Sequence, residues 1–182
     1  TKYAQGGIAT VHDMGIDSFE QHIQDTLIAG DGLCNEDVVR MVVEEGPARL
    51  QELIDWGVEF DENNTGDFDL GKEGGHSQNR ILHHKDITGF EIERALLIMI
   101  SKTPNIEVLE QHYAIDFITE HHLKTKEPKR HTDITCFGAY VLNKSTNKVR
   151  TIVSKITMIA SGGSGQAYTT TTNPSIATGD GI

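Results

Sequence analysis

Cysteine is nearly missing from this chain. Cys34 and Cys136 are the two in 182 residues, which is too few for a disulfide framework, and their spacing matches no metal motif. Reduced thiols in a cytoplasmic protein are the expectation. Positive charge is scarce as well: against 27 Asp and Glu stand 16 Lys and Arg, a formal charge of −11. So acidic a chain repels phosphate backbones, which excludes bulk binding of nucleic acid. The one basic cluster, Lys124, Lys126, Lys129 and Arg130, falls in a polar stretch that reads as a solvated hairpin tip. No apolar run approaches ~20 residues, so no membrane-spanning helix is expected. No signal peptide is visible either.

Common catalytic and ligand motifs are missing too. The dinucleotide fingerprint G-x-G-x-x-G does not occur, since Gly162, Gly163, Ser164 and Gly165 lack its spacing. Nothing follows the nucleophile pattern G-x-S-x-G. The histidine pairs His83-His84 and His121-His122 lack the spacing that sets two imidazoles on one helical face. Adjacent strand residues point to opposite faces, so no metal site is expected from them.

What remains is one domain's length of ordinary soluble composition, 37% hydrophobic and 24% charged, enough to bury ~70% of its unfolded surface. A little strand is expected around residues 8–11. Ser18 and Gln21 are spaced as a capping box before a helix carrying Phe19, Ile23 and Leu27 on one face. Asn35 caps a second helix, with Glu36 and Asp37 at its positive end. Gly46-Pro47 is expected to break that helix, Pro47 opening another that Gly57 closes. Residues 58–60 read as a short strand and residues 80–83 as extended. Thr88 and Glu91 form a second capping box, before the clean helical spacing of Ile92, Ala95, Leu96, Met99 and Ile100. Strands are then predicted at 106–109, 113–119, 137–142 and 149–160, the later ones as a meander in an α/β fold.

Glycine clusters punctuate this frame: Tyr3-Ala4-Gln5-Gly6-Gly7 at the start, Glu73-Gly74-Gly75-His76-Ser77 in the middle, and Ala160-Ser161-Gly162-Gly163 with Gly179-Asp180-Gly181 near the end. Glycine admits close approach of backbone to a ligand, and consecutive N–H groups cradle anionic or carbonyl oxygens. Each cluster taken alone reads better as a simple turn. The run MIASGG, an apolar segment passing straight into small residues, is how α/β proteins set backbone against a nucleotide.

Taken in order, YAQGGIA, DTLIAGDGLC, EGGHSQNRILH, DITG, NIEVLE, IASGGSGQAY, TTNP and TGDG resemble the flavoprotein family of succinate dehydrogenase, fumarate reductase and L-aspartate oxidase, over essentially the whole chain. The nearest resemblance is to the aspartate-oxidising branch, where a glutamate in an EGGHS context orients the amino acid; the dicarboxylate dehydrogenases carry uncharged residues there. Physics supports the distinction, because a buried carboxylate at Glu73 favours an α-ammonium and repels a bare dicarboxylate.

The resemblance implies an α/β, Rossmann-like, three-layer FAD-binding domain with an added β meander. It implies that Tyr3, Ala4, Gln5, Gly6 and Gly7 lie against the flavin. Tyr113, Ala114 and the neighbourhood of Gly162 and Gly163 would meet the adenine end, with Asp180 on the flavin side. It implies non-covalent FAD and oxidation of L-aspartate to iminoaspartate by hydride transfer, the first step of de novo NAD biosynthesis. Oxygen or fumarate would accept the electrons, and the product would pass to quinolinate synthase.

On the same basis residues 1–182 are expected to be a partial FAD-binding domain. The glycine-rich pyrophosphate loop of the family would precede them, and the capping and helical domains would follow. Alone, such a piece is expected to be inactive and to bind FAD weakly or not at all. Two other readings compete: the flavoprotein subunit of a succinate or fumarate oxidoreductase, and a non-catalytic acidic module binding through its histidines.

Overall fold

The structure is a computed structural model, and it describes residues 2–122 and 134–181. The basic cluster at Lys124, Lys126, Lys129 and Arg130 lies outside the described residues. Two compact units divide the chain, residues 1–107 and 108–182.

In the first unit, β1 (Ile8–Ala9) pairs antiparallel with β2 (Ile81–Leu82). Three helices accompany them: α1 (Phe19–Ala29), α2 (Glu36–Asp55) and α3 (Thr88–Lys102). Two of the expected caps form, because capping needs no partner beyond the local chain. Ser18 Oγ accepts the Gln21 N–H at 3.2 Å and Asn35 Oδ1 accepts that of Val38 at 3.2 Å. Leu50, Val58, Phe60, Leu82 and Ala95 make the core, with Ile8, Leu53, Ile54, Phe68, Leu70 and Ile92 packed around it.

Three expectations need correction here. Gly46-Pro47 does not break the helix, since α2 runs through Pro47 without interruption. Buried Val43 and Leu50 lie on either side of the proline, and packing of one continuous face outweighs the lost hydrogen bond. The Thr88–Glu91 box does not form: the N-cap position is Ile87 and no side chain caps there. Thr88 Oγ1 instead accepts the His84 N–H at 2.9 Å, while Glu91 Oε1 accepts the Glu59 N–H at 3.0 Å. That contact also explains why residues 58–60 are not a ladder strand: a side chain, not a neighbouring strand, takes the Glu59 N–H.

In the second unit, β3 (His112–Thr119), β4 (Cys136–Asn143) and β5 (Lys148–Val153) form an antiparallel meander in the order β3-β4-β5. The strand expected over 149–160 stops at Val153. The Ser154 N–H still donates to the Phe137 carbonyl at 2.9 Å, but beyond it Ile156 and Met158 are each 85% exposed. No strand among the described residues pairs with 155–160, and an extended segment without a ladder partner is not a strand. Residues 106–109 fail as a strand for the same reason, the Ile106 N–H being taken by a turn to Thr103 O.

Candidate functional site

Residues 72–80 lead into β2, and Ser77 and Arg80 among them bond Asp25 of α1. Arg80, the guanidinium of this stretch, has 0% exposure. Its Nε donates to Asp17 Oδ2 at 2.7 Å and its Nη2 to Asp17 Oδ1 at 2.8 Å, a two-pronged pairing. Nη1 donates to Asp25 Oδ2 at 2.6 Å and lies 3.2 Å from His76 Nδ1. Asp25 Oδ2 also accepts the Ser77 N–H at 2.8 Å and the Ser77 hydroxyl at 2.7 Å. Burial pushes the Asp25 carboxyl up, but Ser77 and Arg80 outweigh it and bring it down to about 2. Arg80 is thus consumed by the fold and anchors the glycine loop to α1. A buried arginine requires carboxylate partners, and the fold supplies Asp17 and Asp25, which no local sequence signal ties to Arg80.

His22 sits beside this network. Its ring centroid lies 5.6 Å from that of His76, and its Nδ1 is buried without a partner. Burial, then the Arg80 charge, pushes its pKa below the ordinary imidazole value.

On the other side of the loop, Gln5, Gly6, Lys72, Glu73, His83 and Asp86 are among the residues lining an open recess of about 340 Å3. The first glycine cluster and the second therefore meet. A Cβ on Gly6 would stand 3.1 Å from Glu73 Oε1, and one on Gly7 would collide with the Leu82 carbonyl. Gly6 makes room for the carboxylate and Gly7 for the β2 backbone. Tyr3 is 74% exposed, and the Ala4 carbonyl accepts the Gly89 N–H at 3.0 Å. Glu73 itself is exposed rather than buried, and among the described residues its carboxylate has no hydrogen-bond partner. Its attraction for a cation is accordingly screened until a ligand covers it.

In the second unit Tyr113, Ala114, Ser161, Asp180 and Gly181 are among the residues around a cavity of about 540 Å3. Asp180, expected on the flavin side, here shares a cavity with the two residues expected at the adenine end. Its Oδ2 accepts the Thr178 hydroxyl at 2.6 Å. Gly162 and Gly163 stand beside this cavity in sequence, and a Cβ on either would meet nothing within 4 Å.

The sequence model described as FAD binding domain matches residues 1–182. The chain belongs to this FAD binding domain family. Over its full length this FAD binding domain is 49% identical to L-aspartate oxidase 2-a, chloroplastic, of Nicotiana tabacum, covering 27% of that protein. It is 45% identical to L-aspartate oxidase of Vibrio cholerae, covering 34% of it. A variant of E. coli quinol fumarate reductase superposes with a TM-score of 0.86 at 29% identity, over 99% of this chain and 28% of that one. The α/β fold is that of these flavoproteins, and the chain spans roughly a quarter to a third of the length of each.

Proposed function

We propose that this chain serves an FAD-dependent oxidation of L-aspartate to iminoaspartate, the opening reaction of de novo NAD synthesis. The observation that carries the reading is the unpaired Glu73 carboxylate in a recess it shares with Gln5 and Gly6. A recess of about 340 Å3 suits a small ligand, and an unpaired carboxylate in it favours an ammonium group over a bare dicarboxylate. The similarity to L-aspartate oxidases on the plant and bacterial side supports the same choice.

The residues present fit the cofactor. Gln5 and Gly6 border the open recess, and Gly162 and Gly163 leave backbone uncrowded next in sequence to Ser161, which lines the cavity at Tyr113 and Ala114. We assign the flavin end to residues 3–7 and the adenine end to Tyr113, Ala114, Gly162 and Gly163. Asp180 is kept as a cofactor contact. When bound, FAD supplies the hydride acceptor, while the protein supplies binding and electrostatics. Glu73 orients the amino acid through its ammonium group. Oxygen or fumarate is the proposed electron acceptor, and quinolinate synthase is the proposed recipient of the product.

We further propose that residues 1–182 form part of a larger FAD-binding domain. The cytoplasm is our proposed compartment, alongside the chloroplast that the tobacco protein's name records. The succinate or fumarate oxidoreductase reading is favoured only by the fold likeness.

Glu73→Gln in the complete enzyme separates the readings. A charge-assisted contact is worth about 1.5–3 kcal/mol, so kcat/KM for L-aspartate should fall about ten- to a hundredfold, with succinate binding spared. Unchanged aspartate turnover would remove the role given to Glu73.

A further inference from the structure

Glu73 shares its recess with a second group that can handle protons. His83 lines the same space, one residue beyond β2. Its Nδ1 lies 3.2 Å from Asp61 Oδ2, and that carboxylate is itself held in place. Asp61 Oδ2 accepts the Lys85 N–H at 2.6 Å, and the Asp61 N–H donates to the His83 carbonyl at 2.9 Å. The Lys85 N–H, chiefly, keeps the Asp61 carboxyl below its ordinary value. An ionised carboxylate on Nδ1 fixes the tautomer with its proton there. Nε2, at the far end of the ring, has no hydrogen-bond partner among the described residues. A side chain with one nitrogen oriented by a carboxylate and the other left as a lone pair has the build of a general base.

We propose that His83, oriented by Asp61, accepts the proton that the substrate's α-ammonium must lose. The proposal rests on the amine-oxidising reading above. An ammonium nitrogen has no electron pair with which to form a C=N bond. One N–H bond must therefore break first, its proton passing to His83 Nε2 and its electron pair staying on nitrogen. The α C–H bond can then break with its electron pair leaving as hydride, for which bound FAD would be the oxidant, while the nitrogen pair forms an iminium that loses one further N–H proton to solvent to give the imine. Glu73 and His83 divide the work: one attracts the cation, the other deprotonates it. Lys72, Lys85 and Asp86 line the same recess, and the Asp61 carboxylate that faces His83 also lies 3.7 Å from His84 Nδ1 through its other oxygen. Succinate has no ammonium, so His83 has no task with it, and this difference makes the role measurable.

The rival reading is that the pair merely pins residue 83 to residue 61. The test uses the complete, flavin-loaded enzyme without oxygen, with His83→Ala, His83→Gln and Asp61→Asn. Loss of a general base costs ~10²–10⁴-fold. Flavin reduction by saturating L-aspartate should slow by that order in both His83 variants, and by less in Asp61→Asn. Added imidazole should restore part of the rate in His83→Ala. The Kd for succinate, read without turnover from the flavin's visible spectrum, should change less than twofold. Rates within threefold of the parent in both His83 variants would overturn the proposal. So would a slow rate that imidazole fails to restore, accompanied by an equal loss of succinate binding. If L-aspartate fails to reduce even the parent enzyme, the amine-oxidising reading falls and takes this proposal with it; reduction of the parent with unchanged variants overturns this proposal alone.

Discussion

Arg80 has no accessible surface, and its fork is filled by Asp17 and Asp25. Such a residue holds the glycine loop rather than a ligand. Asp25 is the other end of that hold, because one of its oxygens takes Arg80 and both donors of Ser77. Its folded pKa is depressed from 3.8 to about 2. The stability it contributes is therefore fully present above its unfolded value and is lost as pH falls through the folded one. Asp25→Asn should lower the urea midpoint at neutral pH and flatten its fall between about pH 4 and pH 2. An unchanged acid profile would show that Asp25 is not the group that titrates there. The sequence displayed Arg80 and Glu73 side by side but not their different fates. Burial of Arg80 depends on partners far off in sequence, Asp25 of α1 lying more than fifty positions from Ser77 and Arg80.

At the scale of elements, local chemistry was legible and long-range pairing was not. Ser18 and Asn35 cap as their spacing indicates, since every group involved lies within one turn. The helix at residues 88–102 follows its apolar spacing, but Glu91 turns away from the cap to bond Glu59 and Arg94. Hydrogen bonding to Arg94, above all, holds its carboxyl below the usual range. The strand predicted through Ala160 stops at Val153 because its neighbours cannot be read from its own residues. Pro47 marks the opposite failure, a breaker tolerated inside α2. It cannot donate to the Val43 carbonyl one turn earlier, so Pro47→Ala should restore that hydrogen bond. An interior proline costs about 3 kcal/mol relative to alanine, offset in part by the stiffer unfolded chain. A rise in melting temperature is expected; a fall would mean that the proline sets a bend on which the packing of Val43 and Leu50 depends.

For the whole molecule, the order of the motifs carried what no single glycine pair could. AQGG, EGGHS and TTNP with TGDG lie far apart in sequence, and the first two meet around one recess. The family and its cofactor follow from the match over residues 1–182. The choice of substrate rests on Glu73, and the complete flavin-loaded enzyme tests it most directly. L-Aspartate and succinate are added in separate oxygen-free cuvettes and the oxidised flavin's visible absorption is followed. L-Aspartate should bleach it, and succinate should bleach it not at all or far more slowly. Bleaching by succinate alone would contradict that choice of substrate and place the chain with the dicarboxylate dehydrogenases.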